Sequence, residues 1–191
     1  MTKFICETKN LSKKYKDFYA LKNVNLTIPK GEIYGLVGEN GAGKTTLIRL
    51  LTGLNFKSEG EIILFGHQDN LQHERSKIGC TIEMPALYKD MTASQNLEVQ
   101  RIQRGIPNKK CITDTLELIG LSNAGKKRVA NFSLGMKQRL ALGVALLGEP
   151  EFLILDEPVN GLDPTGIIEL RELLKKLVKE REVTILISSH I

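Results

Sequence analysis

The chain has few of the residues that mark a secreted, metal-binding or membrane-spanning protein. Its three cysteines, Cys6, Cys80 and Cys111, lie far apart without C-x-x-C spacing or histidine clusters, so we expect reduced, mostly buried thiols. The longest apolar stretch, Leu140 to Gly148, is far shorter than the roughly 18 residues that a membrane helix needs. The N-terminus reaches Glu7 before an apolar run develops, which argues against a secretory signal. We therefore expect a cytoplasmic protein.

A strong charge bias is also lacking. The net charge of +5 is too small to indicate nucleic-acid or membrane binding, and the densest basic cluster, residues 126–128, is typical of a solvated loop. No internal repeat, low-complexity tract or Pro/Ser-rich linker divides the 191 residues. With 41% hydrophobic and 26% charged residues, the composition favours one compact domain with its own core.

The apolar patterns predict an α/β fold. Residues 23–28 alternate between polar and apolar, as in a half-exposed strand of an antiparallel sheet. Residues 92–121 have a helical character and begin with Thr92 and Gln95, which are spaced as a capping box. Elsewhere helices alternate with strands, which indicates a mostly parallel sheet flanked by helices. The predicted helices are about 44–52, 134–147 and 165–182, and the predicted strands are EIYGLVG, GEIILFG, IGCTIE, FLILDE and VTILISS. The chain ends at Ile191 directly after a strand, so we expect a truncated or partly ordered C-terminus.

A phosphate-binding loop is predicted between the strand EIYGLVG and the helix that follows it. The segment GENGAGKTT fits G-x-x-x-x-G-K-[ST], and its glycines let the backbone wrap closely around phosphates. We expect Lys44 to neutralise the β- and γ-phosphates, Thr45 to bind Mg²⁺, and Thr46 to bond the α- or β-phosphate. The expected nucleotide-binding residues are Gly38, Glu39, Asn40, Gly41, Ala42, Gly43, Lys44, Thr45 and Thr46.

Two acids, Asp156 and Glu157, follow the buried strand FLIL. Ligands of open parallel sheets gather at the carboxyl ends of the strands, where the phosphate-binding loop also lies. We therefore expect Asp156 to hold Mg²⁺ and Glu157 to orient and polarise the attacking water. The alternative is that the pair caps the next helix. The two motifs together fit many P-loop proteins, including nucleotide kinases and helicase-type motors.

A third motif is more specific. The segment NFSLGMKQRLALGVAL resembles the signature of the ABC transporter ATPases, which have Ser-Gly-Gly-Gln where this chain has Ser133, Leu134, Gly135 and Met136. Ser133 still supplies a hydroxyl at a helix N-terminus, and Gly135 still permits close approach to a phosphate. The resemblance implies that these two residues cap the γ-phosphate bound by an opposite subunit, and hence that the protein works as a dimer.

The resemblance extends over essentially the whole chain. It implies a single P-loop NTPase domain over 1–191, with a RecA-like core at about 1–90 and 150–191, an N-terminal antiparallel β-subdomain, and a helical signature subdomain at about 91–149. Tyr15 resembles the aromatic residue that stacks on adenine, Asp163 lies in a D-loop-like NGLDP segment, and His190 resembles the switch histidine that contacts the γ-phosphate. The alternatives are an ordinary edge-strand aromatic for Tyr15 and a helix N-cap for Asp163.

Glu83 stands where the family usually has the Q-loop glutamine. A carboxylate there lacks an amide donor and adds negative charge near phosphate, and we expect it beside Mg²⁺ together with Thr45 and Asp156. The following segment MPALYKDMTASQNL resembles the one that meets the membrane subunits. With SLGMKQR, Glu83 resembles the branch that exports peptide antibiotics, the bacitracin-resistance and lantibiotic-immunity transporters. The alternative is a replacement with no bearing on substrate.

The sequence therefore predicts an ATPase that uses ATP and Mg²⁺, with Glu157, His190 and Lys44 as its catalytic residues, and that powers an ABC transporter for peptide antibiotics. The expected partners are a second copy or a related ATPase subunit and integral membrane permease subunits at the inner face of the cell membrane. Nucleic acid and direct contact with the transported substrate are not expected. A soluble ABC ATPase of DNA repair or translation and a nucleotide kinase remain alternatives. Soluble ABC ATPases of DNA repair or translation usually carry long coiled-coil insertions, and this chain has no heptad run of that length. A nucleotide kinase would not need the Ser133 signature.

Overall fold

The computed structural model describes residues 3–82 and 87–190. These residues form two sheets and the helices packed on them. The strands are β1 (Phe4–Tyr15), β2 (Phe18–Pro29), β3 (Ile33–Val37), β4 (Glu59–Leu64), β5 (Ile78–Thr81), β6 (Phe152–Leu155) and β7 (Thr184–Ser189). The α-helices are α1 (Lys44–Leu51), α2 (Leu71–Arg75), α3 (Ala93–Gln103), α4 (Lys110–Leu118), α5 (Leu134–Leu146) and α6 (Pro164–Arg181).

Three strands build the predicted antiparallel sheet, in the order β2-β1-β4. The alternation in residues 23–28 is confirmed, because Leu26 and Ile28 are buried within β2. Sequence reasoning did not find β1, whose register with β2 shifts at several points between Phe4 and Lys14. Each shift breaks the two-residue alternation by which a strand is recognised.

The second sheet carries the strands that lead to the site. Its order is β3-β7-β6-β5, and every neighbouring pair is parallel, as the strand–helix alternation predicted. Leu155 pairs with Ile187 and Val37 pairs with Ser189, so the carboxyl ends of β3, β6 and β7 lie side by side. All four residues of β6 are buried, as expected for a strand covered on both faces.

The helical stretch after residue 92 divides into two helices. Thr92 and Gln95 form the expected capping box at the start of α3, with both reciprocal hydrogen bonds present. The chain turns between α3 and α4 at Gly105, which has a φ of 65°, and Pro107 follows two residues later. These helices pack against α5 in a core that also contains residues of β6, α6 and β7. Leu97 of α3, Leu140 of α5 and Leu153 of β6 are buried in it.

The cysteines have no disulfide partners. Cys6 is buried, and this burial raises the pKa of its thiol to about 12. Partial burial also raises the pKa of Cys80 and of Cys111, so all three thiols are protonated at neutral pH. Within the described ranges, no helix combines the length and the apolar character needed to cross a bilayer.

An arginine anchors the end of α1, the helix that begins at the phosphate-binding loop. The Arg75 guanidinium donates from Nε to the Leu51 carbonyl at 3.0 Å and from Nη2 to the Leu50 carbonyl at 3.1 Å. Carbonyls at a helix C-terminus lack partners within the helix and carry its negative dipole end. The Arg75 guanidinium therefore holds the C-terminus of α1 in place through two hydrogen bonds. Partial burial desolvates this group and lowers its pKa.

We expect Arg75→Ala to lower the free energy of unfolding by about 2 kcal/mol, because two charge-assisted hydrogen bonds are lost. Urea unfolding measures this change. The matched control is Arg181→Ala, which removes an exposed arginine from the last turn of α6 and should cost less than about 0.5 kcal/mol. If both variants unfold at the same urea concentration, the proposed anchoring is wrong.

Candidate functional site

The predicted phosphate-binding loop joins the end of β3 to the first residue of α1. The Gly38 amide donates to the Ser189 carbonyl at 3.2 Å, which attaches the start of the loop to the end of β7. Residues 39–42 are exposed, as a loop that receives a ligand must be. Gly43 has a φ of 92°, and a Cβ there would lie 2.6 Å from the Ala20 carbonyl oxygen. The loop therefore rests on β2 through a contact that only glycine permits.

Lys44 is the cation of this loop, and only 9% of its surface is exposed. Its ammonium donates to the carbonyls of Gly38 at 2.7 Å and Glu39 at 3.1 Å, and it lies 3.5 Å from Glu157 Oε1. These bonds hold the charge inside the curve of the loop. A triphosphate bound there would meet Lys44 and the N-terminus of α1 together.

The two residues expected to bind Mg²⁺, Asp156 and Thr45, lie next to each other. The Thr45 hydroxyl donates to Asp156 Oδ2 at 2.9 Å, so the two predicted Mg²⁺ ligands are in direct contact. The described residues contain no group of three or more acidic, histidine or cysteine side chains that could hold a metal by itself. Mg²⁺ is commonly bound by one or two protein oxygens with phosphates and water, and this pair fits that pattern.

Glu157 lies between two basic side chains. Its Oε1 faces Lys44, and its Oε2 lies 2.8 Å from His190 Nδ1. The backbone of Glu157 has a φ of 50°, a left-handed conformation that costs a non-glycine residue roughly 1–2 kcal/mol. The acids do not cap a helix, because the next helix, α6, is capped by Asp163, whose carboxylate accepts from the Gly166 amide at 3.1 Å. The structure thus brings Lys44, Glu157 and His190 together as predicted.

The signature segment lies elsewhere on the molecule, beside the segment that contains Asp163. Ser133 is exposed and caps α5, accepting a hydrogen bond from the Met136 amide at 3.2 Å. The Leu134 side chain packs on Gly161, where an added Cβ would lie 2.5 Å from Leu134 Cδ2. Gln138 donates to the Asn160 carbonyl. Sequence reasoning missed these contacts of Leu134 and Gln138, because they join positions more than 20 residues apart.

Tyr15 is placed at the tip of the β1–β2 hairpin. The residue is 45% exposed, its hydroxyl accepts from Asn55 Nδ2 at 2.8 Å, and the Lys13 ammonium lies 4.7 Å from the ring centroid. The loop rests on the other strand of the same hairpin, at Ala20 of β2. Stacking of Tyr15 on adenine therefore stays a prediction that the placement permits.

Glu39, Asn40, Gly41 and Ala42 are the exposed part of the loop, and Thr46 is half-buried in the first turn of α1. Glu83 lies outside the described residues. Ser188 was not predicted as a site residue, although it bonds both acids, because a serine inside a strand carries no signal in the sequence.

A cavity of about 1070 Å³ lies beside the signature segment rather than at the phosphate-binding loop. It is bordered by the end of α4, by α5 and by the start of α6, and its lining includes Ser133, Gly135 and Asp163 but no residue of 38–46. The loop stays the predicted nucleotide site, because Lys44, Thr45 and the N-terminus of α1 supply the charge and donors that phosphates need.

Comparison with known proteins supports the family and the fold that the sequence predicts. Residues 21–160 match the sequence model of the ABC transporter family. The chain is 45% identical over 190 residues to the bacitracin transport ATP-binding protein BcrA of Enterococcus faecalis, a match that covers 98% of this chain and 62% of that protein. It is 48% identical over 182 residues to the lantibiotic transport ATP-binding protein SrtF of Streptococcus pyogenes, covering 95% and 78%. The chain thus spans less than two thirds of the length of BcrA.

A solved structure has the same architecture. The ATP-binding cassette MJ0796, in a dimeric post-hydrolysis state bound to ADP and Pi, superposes with a TM-score of 0.85 at 29% identity. The alignment covers 97% of this chain and 88% of that one. The predicted fold class, a mostly parallel sheet flanked by helices with an antiparallel N-terminal sheet, is confirmed.

We expect Gly43→Ala to weaken binding of a fluorescent ATP analogue more than tenfold, because the new Cβ would force the loop away from Ala20. Gly31→Ala is the control, since Gly31 also has a positive φ, 72°, but has no atom within 4 Å of an added Cβ. This variant should lose some stability and keep its affinity within about twofold. Unchanged nucleotide affinity in Gly43→Ala would contradict the proposed loop contact.

Proposed function

The chain belongs to the ABC transporter family, and from that premise we propose that it binds and hydrolyses ATP to power the export of peptide antibiotics by a membrane transporter. The observation that carries the ATPase function is the meeting of Lys44, Thr45, Asp156, Glu157 and His190 at one edge of the parallel sheet. The substrate class is supported by the similarity to BcrA and SrtF, whose names refer to bacitracin and lantibiotic transport. Neither relative supports the alternative in DNA repair or translation.

In the proposed reaction, Glu157 orients the water that attacks the γ-phosphate and takes up its proton. Lys44 pairs with Glu157 in the structure described here, and a triphosphate would compete for this cation. Release from Lys44 would leave Glu157 held by His190 and by its own backbone, with its carboxylate free to polarise water. Mg²⁺, held by Thr45 and Asp156, would neutralise charge on the phosphates.

The proposed working unit is a dimer, formed by two copies or by this chain and a related ATPase. Ser133 is exposed at the N-terminus of α5, so its hydroxyl would be accessible to a phosphate held by a partner. The dimeric state of MJ0796 supports this arrangement. ATP binding would close the dimer, and hydrolysis would loosen it.

The proposed transporter also contains integral membrane permease subunits, and the chain would bind them at the inner face of the cell membrane. Substrate would pass through those subunits and would not touch this chain. Glu83 and the segment after it are the proposed contact, on the basis of their sequence alone.

The decisive variant for catalysis is Glu157→Gln. It should bind ATP, lower turnover at least about a hundredfold, and accumulate an ATP-dependent dimer, because hydrolysis no longer separates the subunits. Phosphate release and light scattering after gel filtration measure the two effects. Glu151→Gln, at the opposite end of β6, is the matched control and should hydrolyse ATP normally. Normal turnover by Glu157→Gln would refute the assignment.

The dimer can be tested at Ser133 without removing the helix cap. Ser133→Asp keeps a good N-cap for α5 but would place a negative charge against the partner's γ-phosphate, so ATP-dependent dimers and hydrolysis should both disappear. Circular dichroism checks that the helix is retained. Ser122→Asp adds the same charge at another exposed serine of the helical region and should leave both properties unchanged. A Ser133→Asp variant that still dimerises with ATP would rule out the composite site.

A further inference from the structure

Ser188 is the buried link between the two acids of the site. It lies near the end of β7, has no exposed surface, and its hydroxyl is 2.6 Å from Asp156 Oδ1 and 2.9 Å from the Glu157 amide nitrogen. The parallel pairing of Leu155 with Ile187 puts Ser188 next to Asp156 at the first step beyond the paired residues. One side chain of β7 therefore contacts both acids that follow β6.

The directions of the two hydrogen bonds are fixed by chemistry. An amide N–H can only donate, so the Ser188 hydroxyl accepts from Glu157 and uses its single hydrogen toward Asp156. The Asp156 carboxylate then has a hydroxyl donor on each oxygen, Ser188 on Oδ1 and Thr45 on Oδ2. Rotation of this carboxylate would break at least one of the two bonds.

The bond to the amide acts on the backbone of Glu157. That residue has a left-handed φ of 50°, a conformation that is unfavourable for a non-glycine residue and that a local restraint would stabilise. The hydrogen bond from the Glu157 amide to the Ser188 hydroxyl supplies such a restraint just after the end of β6. From this backbone the Glu157 side chain reaches Lys44 and His190, so a shift of the backbone would move its carboxylate away from both.

We propose that Ser188 is a positioning residue for ATP hydrolysis: its one hydroxyl fixes the Asp156 carboxylate for Mg²⁺ and the Glu157 backbone for the attacking water. The proposal rests on the proposed ATPase function and adds a residue to it. Ser188 is also two residues before His190, so the same strand end positions three groups of the site.

The test compares Ser188→Ala with Ser188→Thr. Loss of the hydroxyl should lower kcat about tenfold and raise the Mg²⁺ concentration for half-maximal rate several-fold, with Mg²⁺-free ATP binding unchanged within about twofold. Threonine keeps the hydroxyl and should recover most of both parameters. If the alanine variant does not fold, Ser188→Cys replaces it, because a thiol keeps the size but donates weakly.

Thr184→Ala is the matched control for a purely structural effect. Thr184 is buried in the same strand, and its hydroxyl accepts from the Gly31 amide at 2.9 Å, but it lies at the opposite end from the site. This variant should lose stability and keep its kcat and Mg²⁺ dependence. Equal kinetic losses in Thr184→Ala and Ser188→Ala, or no loss in Ser188→Ala, would overturn the proposal.

A second measurement does not depend on activity. The Glu157 amide should exchange its hydrogen at least several-fold faster in Ser188→Ala than in the unchanged protein, as followed by NMR without nucleotide. Equal exchange rates would overturn the positioning role. If the unchanged protein hydrolyses no ATP, the proposed function fails, and the exchange rates still decide whether Ser188 holds Glu157.

Discussion

The register between β6 and β7 is the constraint on which the site depends. Because Leu155 pairs with Ile187, the acids that follow β6 lie beside Ser188 near the end of β7, and His190 directly follows that strand. The buried apolar residues of both strands hold this register. Polar groups at such an edge must find partners, since Asp156 is only 7% exposed, and two hydroxyls supply them. The candidate site therefore forms where β6 and β7 end side by side.

The Lys44 ammonium has partners within the chain itself. Lys44 is nearly buried and has Glu157 and two loop carbonyls as partners, which offsets the cost of removing an ammonium group from water. The same partners can be exchanged for phosphate oxygens, since an anion of higher charge competes with one carboxylate for the same cation. The ion pair that stabilises the loop is therefore also the one that a bound phosphate would break, which would release Glu157 from Lys44. This requires Glu157 to have other anchors, and His190 and the Ser188 hydroxyl provide them.

The sequence allowed the local parts of this site to be predicted, and the structure adds the long-range ones. The loop at 38–46, the acids after FLIL and the capping box at Thr92 each depend on residues a few positions apart, so spacing alone identifies them. The strand β1 was not predicted because its pairing is interrupted by register shifts. The helix α2 was not predicted because it is only five residues long. Ser188 was not predicted as a site residue for another reason. Its role arises only when β7 lies beside β6, and no local pattern records which strands become neighbours.

The replacement of the usual glycine by Leu134 has a physical counterpart in the segment that follows Glu157. The leucine side chain lies against Gly161, where a Cβ would clash, and Gln138 bonds the Asn160 carbonyl on the same segment. Arg139 of α5 forms an ion pair with Glu169 of α6, so contacts continue past Asp163. The start of α5 and the chain from Asn160 to Glu169 are therefore packed as one unit. Since Asn160 donates its amide to the Glu157 carbonyl and Gln138 donates to the Asn160 carbonyl, hydrogen bonds connect Glu157 to the surface that carries Ser133, the one offered to a partner in the proposed dimer.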